Sequence, residues 1–195
     1  LDFTRGSNRQ VWRYYYRLVR SANTVIESLG GNDAVPELEA NKFSMGQAKA
    51  MRAHSYFYLT QFFQKEYNAS EAILPLYTEP IGANLPKSTA SEVYDLMESD
   101  LNSAITLLEG FNRDAKNQVN QDIAKAILAY VLGAKGGRDT DVARLTQEVI
   151  NTGAYSMLAV DDVTNGFADV SSSSWMWGID ILENKECYVL WIDLN

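Results

Sequence analysis

One arginine constrains this chain more than any other residue. The stretch from Gly46 to Leu59 has the composition and periodicity of a helix. At ~100° per residue, Ala48, Met51, Ser55, Leu59 and Phe62 form one apolar side, with Tyr56, Tyr58 and Phe63 at its edges. Arg52 lies among them. A guanidinium cannot shed its charge, so its burial demands a partner. A buried, paired arginine is a commitment about helix packing, not a signature of catalysis. The partner expected here is Asp100, at the edge of the buried side of a later helix. A bidentate Arg52–Asp100 ion pair would fix how the two helices pack.

Helical periodicity dominates up to about residue 152. A first helix is predicted from Ser7 or Asn8 to Leu29, with Trp12, Tyr15, Val19, Ala22, Ile26 and Leu29 on one side. Gly30 and Gly31 end it, since glycine supplies the left-handed cap. The Arg52 helix is predicted from Ser44 to Tyr67. A loop with Pro75, Pro80, Gly82 and Pro86 follows, and Ile73 to Tyr77 reads as extended chain. Thr89 and Glu92 fit a capping box at the start of the third helix. Val93, Met97, Leu101, Ala104 and Leu108 mark its buried side, and Gly110 closes it. The fourth helix, Asn120 to Lys135, shows so little polar surface that it is expected to be central. The fifth runs from Thr140 to Thr152, with Val142, Leu145, Val149 and Ile150 on one side.

Beyond Gly153 the pattern changes. Trp175 to Ile181 and Tyr188 to Ile192 resemble strands. The fold class expected is all-α: stacked antiparallel helical hairpins, tetratricopeptide-like, with a small extended C-terminal segment. No clean 34-residue period is present. Residues 1–158 form the helical region, and 159–195 read as a loop and strand-like segment, the truncated start of a missing C-terminal half.

Composition narrows the function. The net charge of −8 argues against general nucleic-acid affinity. Arg9, Arg13, Arg17 and Arg20 form a stripe on the first helix, read as a solvated face. No run of ~20 apolar residues is present. The opening residues lack the basic start and apolar block of a signal peptide. Cys187 is the only cysteine, which rules out an intrachain disulfide and a cysteine-based zinc cluster. His54, the only histidine, sits one step off the apolar arc and is expected to be exposed. No phosphate-binding loop, nucleophile elbow or metal-ligand spacing occurs, so no catalytic residue, metal or cofactor is expected.

Several segments together resemble a known family. They are Trp12 followed by Arg20-Ser21-Ala22-Asn23-Thr24-Val25-Ile26, the Gln47-to-Leu59 helix, Leu74-Pro75-Leu76-Tyr77, the Ser91-to-Leu101 helix and Val149 to Leu158. Their content and order are similar to the SusD/RagB family of outer-membrane nutrient-binding lipoproteins. The resemblance implies the tetratricopeptide-like portion of a cell-surface protein. Such proteins bind a glycan or oligosaccharide without catalysis and act with a SusC-like TonB-dependent transporter. It also implies membrane attachment only through a lipid anchor absent from this chain.

Aromatic residues are the ligand-binding candidates, because flat rings stack on the C–H faces of sugars. Trp175 and Trp177 would share one face of a strand. They equally suit a core. Tyr14, Tyr15 and Tyr16 span several helix faces, and Tyr67 and Tyr77 flank the proline loop. The alternative function is a tetratricopeptide-like adaptor binding a peptide or protein in a concave groove. A helical hydrolase and a nucleic-acid-binding protein are further, weaker readings.

Overall fold

The computed structural model describes residues 6–80, 82–158, 160, 163 and 169–179. Its elements run α1 (Gly6–Ser28), α2 (Glu39–Phe63), β1 (Ala72–Pro75), β2 (Lys87–Thr89), α3 (Ala90–Leu107), α4 (Gln121–Lys135) and α5 (Asp139–Asn151). Each helix packs on the next in the chain, giving a row from α1 to α5. Neighbours are antiparallel. Trp12, early in α1, meets Phe63 at the end of α2, while Ile26 and Met45 share a cluster at the opposite end. In the same way Lys135, ending α4, reaches Asp95 and Glu98 early in α3. The fold is therefore the stacked helical-hairpin architecture.

Local chemistry explains several of the ends. Thr89 caps α3: its hydroxyl accepts from the Glu92 backbone N–H at 3.3 Å, and the Glu92 carboxylate accepts from the Thr89 N–H at 2.7 Å. Asn120 caps α4 by accepting from the Ile123 N–H. Gly30 and Gly31 take φ values of 110° and 93° as the chain leaves α1. Helix α2 starts five residues earlier than its periodicity predicts. Its first turn, with Glu39 and Ala40 exposed, carries no apolar signal, and Glu39 suits the positive end of the helix dipole. It also ends earlier, because Gln64 is extended.

The centre of the row is α3, not α4. Helix α4 lies between α3 and α5, and its Tyr130 is 67% exposed. Helix α2, gripped by α1 and α3, is buried around most of its circumference, Lys49, Arg52, Ser55 and Tyr56 included. Two apolar residues expected inside face outward: Phe62 on α2, and Ile150 on α5. As the last helix of the row, α5 buries only a narrow stripe, Leu145 and Val149. The proline loop holds more order than its composition implies. Ala72, Leu74 and Pro75 pair with Thr89, Ser88 and Lys87 in a two-stranded antiparallel ladder, with a bulge between Ala72 and Leu74. Proline is tolerated because such a ladder has only edge strands.

Trp175 to Ile179 is irregular chain, with a bend at Met176 and Trp177, rather than a strand. Its backbone bonds go elsewhere: Gly178 N–H donates to Lys116 O at 3.2 Å and Trp175 N–H to Ser172 O at 3.0 Å. The strand-like readings at Asp180-Ile181 and at Tyr188 to Ile192 lie outside the described residues, as does Cys187.

Close approach of α2 and α3 depends on Gly46. A Cβ there would lie 2.8 Å from Leu108 Cγ and 3.2 Å from Leu107 Cβ, and Leu108 is fully buried. Gly46→Val is therefore expected to destabilise the fold by about 1–3 kcal/mol through overpacking, despite valine's better helix propensity. Guanidinium unfolding measures this. A midpoint at or above the wild-type value would contradict the tight contact.

Candidate functional site

The charged residues singled out from the sequence form a sealed core network. Arg52 Nε lies 2.7 Å from Asp100 Oδ2, and Arg52 Nη2 lies 2.7 Å from Asp100 Oδ1, with both residues 1% exposed. The bond is bidentate, the geometry in which a planar guanidinium matches a carboxylate best. The remaining guanidinium nitrogen is also used. Arg52 Nη1 donates to Asn23 Oδ1 at 2.9 Å, and Asn23 Nδ2 donates to Tyr77 O and Glu79 O at 3.1 and 3.0 Å. Lys49 Nζ donates to Asn32 O at 2.9 Å and stands 3.8 Å from Asp100 Oδ1. The Tyr56 hydroxyl donates to Tyr77 O at 3.0 Å and accepts from the Tyr77 N–H at 2.7 Å. One network thus joins α1, α2, α3 and the loop after β1. Sealed from solvent, it serves architecture.

Asn23, Lys49 and Tyr56 are the members of this network that sequence reasoning left out. A signal for Asn23 was present: like Arg52, it is a polar residue beside the buried side of its helix, next to Ala22 and Ile26.

The aromatic candidates behave differently. Trp175 and Trp177 are both half-buried and border one cavity of about 330 Å³. Met176 and Ser174 lie on the same wall, and Ile123, Ile127 and Tyr130 of α4 stand across from them. The two indoles meet through a bend, not through strand alternation. The cavity is apolar and aromatic, with hydroxyls at Ser174 and Tyr130. Trp177 Nε1 is committed to Asn117 O at 3.0 Å, which holds that ring in place. The Trp175 indole N–H has no partner among the described residues. The arrangement presents flat faces and a few polar atoms, as sugar stacking requires. Tyr130 completes it and was not anticipated, since a tyrosine on an apolar helix reads as core.

Of the other tyrosines, Tyr14 is outward and Tyr15 stacks on Tyr58 at 5.5 Å. Tyr16 donates to Pro75 O at 2.8 Å, and Tyr67 packs edge-on against Tyr94. The serine run shows hydroxyl-to-hydroxyl contacts, Ser172 with Ser174 and Ser156 with Ser173.

His54 is half-buried, not exposed as expected. Its ring lies 4.7 Å from Tyr58 and 4.9 Å, edge-on, from Trp177, because the segment carrying Trp177 folds back over α2. Burial lowers its pKa to about 4, and Nδ1 has no hydrogen-bond partner among the described residues. The folded protein therefore keeps His54 neutral down to that pH, whereas an unfolded imidazole protonates near 6.5. The unfolded state binds more protons across this window, so the contribution is full above pH ~6.5 and is lost as pH falls toward 4. Between pH 7 and pH 5 this one group is expected to remove about 2 kcal/mol. Urea unfolding of wild type and His54→Phe at both pH values tests the assignment. An equal acid loss in the two proteins would place the effect elsewhere.

The family model of SusD-like proteins, described as starch-binding associating with outer membrane, matches residues 2–132. The fold is similar to a SusD-like carbohydrate binding protein from Bacteroides vulgatus ATCC 8482, with TM-score 0.79 and 23% identity over 89% of this chain and 37% of that one. It is also similar to a SusD superfamily protein from Bacteroides thetaiotaomicron VPI-5482, with TM-score 0.72 and 23% identity over 83% of this chain and 36% of that one. A laminarin binding SusD-like protein shares 26% identity, with TM-score 0.68 over 85% of this chain and 36% of its own. The chain thus spans little more than a third of the length of these relatives. No curated protein sequence gives a significant match.

Proposed function

The chain belongs to the SusD-like family, and from that premise we propose that it is the helical portion of a cell-surface glycan-binding protein. It captures oligosaccharide without covalent chemistry, at the bacterial outer membrane, for import through a SusC-like TonB-dependent transporter. The observation that carries this reading is the family match across residues 2–132, whose description names both starch binding and the outer membrane. The laminarin-binding relative supports the same ligand class. Among the described residues, no helix is long and apolar enough to cross a membrane. In this reading attachment is by a lipid anchor or through the transporter itself.

In this reading the aromatic cavity takes the sugar. A ring face lies on Trp175 and Tyr130, while the Trp175 N–H and the Ser174 hydroxyl bond its edge. Calorimetric titration with laminari- and malto-oligosaccharides tests this. Trp175→Ala is expected to weaken binding about tenfold, since an aromatic stacking contact contributes on the order of 1 kcal/mol or more. Wild-type affinity retained in that variant would move the site away from this cavity. Reducing ends accumulating during the incubation would instead establish a hydrolase, and co-purification from membranes tests the transporter.

A further inference from the structure

Four arginines on α1 stand apart from the other described arginines. Arg9, Arg13, Arg17 and Arg20 are exposed and make no side-chain hydrogen bond or ion pair among the described residues. The remaining described arginines, Arg52, Arg113, Arg138 and Arg144, all donate to a carboxylate or a carbonyl. In a chain of net charge −8, the strip is a local exception.

Beside the strip lies a cleft of about 340 Å³ between α1 and the loop after β1. Trp12, Tyr16 and Tyr77 form its aromatic wall, with Arg20, Glu79 and Asn84 as its exposed polar groups. The side chains of Glu79 and Asn84 also have no partner among the described residues. The wall is stiff. Buried Asn23 borders the cleft and holds the carbonyls of Tyr77 and Glu79, and the Tyr56 hydroxyl grips the Tyr77 backbone from behind. At ~100° per residue the arginines occupy an arc abutting the cleft-facing arc of α1, and Arg20 belongs to both.

We propose that this cleft and strip bind an acidic oligosaccharide, a chain of uronic-acid residues. One ring lies against Trp12 and Tyr77, its carboxylate on the Arg20 guanidinium and its hydroxyls on Glu79 and Asn84. The following carboxylates run along Arg17, Arg13 and Arg9. The steps of four, four and three residues advance about 6, 6 and 4.5 Å along the helix, the scale of one pyranose residue. Arginine suits the task because its planar fork takes a carboxylate bidentately. Glu79 favours a sugar chain over single-stranded DNA, because its carboxylate accepts hydroxyl protons that a phosphodiester-linked deoxyribose chain does not offer. The inference rests on the glycan-binding reading and adds to it a ligand class and a second place.

The test titrates the whole 195-residue chain with three probes: an oligogalacturonate, a neutral laminari-oligosaccharide of equal length and a single-stranded oligodeoxythymidylate. Arg17→Gln/Arg20→Gln, both at exposed positions, is the variant, and its unfolding midpoint checks that the fold is intact. The oligogalacturonate is expected to bind wild type, to bind the variant about tenfold more weakly and to weaken with added salt. The neutral probe should be indifferent to the arginines and sensitive to Trp175→Ala. No oligogalacturonate binding, or equal affinity in the double variant, overturns the proposal. So does oligonucleotide binding of the same strength and arginine dependence, which would make the strip a nucleic-acid surface. Loss of neutral-glycan binding with acidic binding retained would sink the Trp175 cavity and leave this cleft standing.

Discussion

Replacing Arg52 with methionine is expected to destabilise the protein by about 3–5 kcal/mol, the range for breaking a buried ion pair on one side only. Methionine fills most of the arginine's volume, so the loss is electrostatic. Asp100, 1% exposed, would be left buried with Lys49, at 3.8 Å, as its one remaining cation among the described residues. Asn23 Oδ1 would lose its donor as well. For a chain of this size the change corresponds to a fall in Tm of roughly 10 °C. Adding Asp100→Leu should recover much of the loss, because a well-packed apolar pair is often as stable as the ion pair it replaces. Guanidinium unfolding of the single and double variants measures both. If Arg52→Met cost less than 1 kcal/mol, or if the double variant were worse than the single, the network would not hold the helices together as described.

Asn23→Leu carries the second large effect, expected at about 2–4 kcal/mol. The two side chains have similar shape, so packing changes little. Three hydrogen bonds disappear: one from Arg52 and two to the carbonyls of Tyr77 and Glu79. Groups left unpaired in a buried setting each cost on the order of 1–3 kcal/mol, less whatever water or relaxation restores. The loop from Tyr77 to Glu79 should also loosen. Hydrogen exchange would show faster exchange there, while α4 and α5, which lack contact with Asn23, keep wild-type protection. Uniform loosening across all five helices would point to general unfolding instead. Because this loop forms a wall of the α1 cleft, acidic-glycan binding should weaken along with it.

How much was legible in advance follows from the range of each interaction. The Thr89–Glu92 capping box lies within four residues, and it reads directly from the sequence. Glycines 30 and 31 mark the end of α1 for the same reason. The first turn of α2 went unread, since Glu39 and Ala40 touch little that a periodic pattern reports. Periodicity puts Phe62 and Ile150 on the inward side of their helices, but a helix at the end of the row, or a residue beyond the covered stripe, has no neighbour to bury against. His54 shows the opposite error. It lies off the apolar arc of its own helix, and only a segment more than 100 residues later covers it.

The sequence alone established that this chain is a set of amphipathic helices, that one of them places a permanent cation among apolar residues, and that the order of its motifs matches the SusD-like family. Those properties are carried by spacing within single elements. Tertiary structure decided which groups meet. It set Asp100 against an arginine 48 positions earlier, brought Trp175 and Trp177 to one cavity through a bend rather than a strand, and placed the arginine strip beside an aromatic cleft. Periodicity says which way a side chain faces on its own helix. What it faces depends on loops and packing that sum over the whole chain, and a local pattern does not encode them.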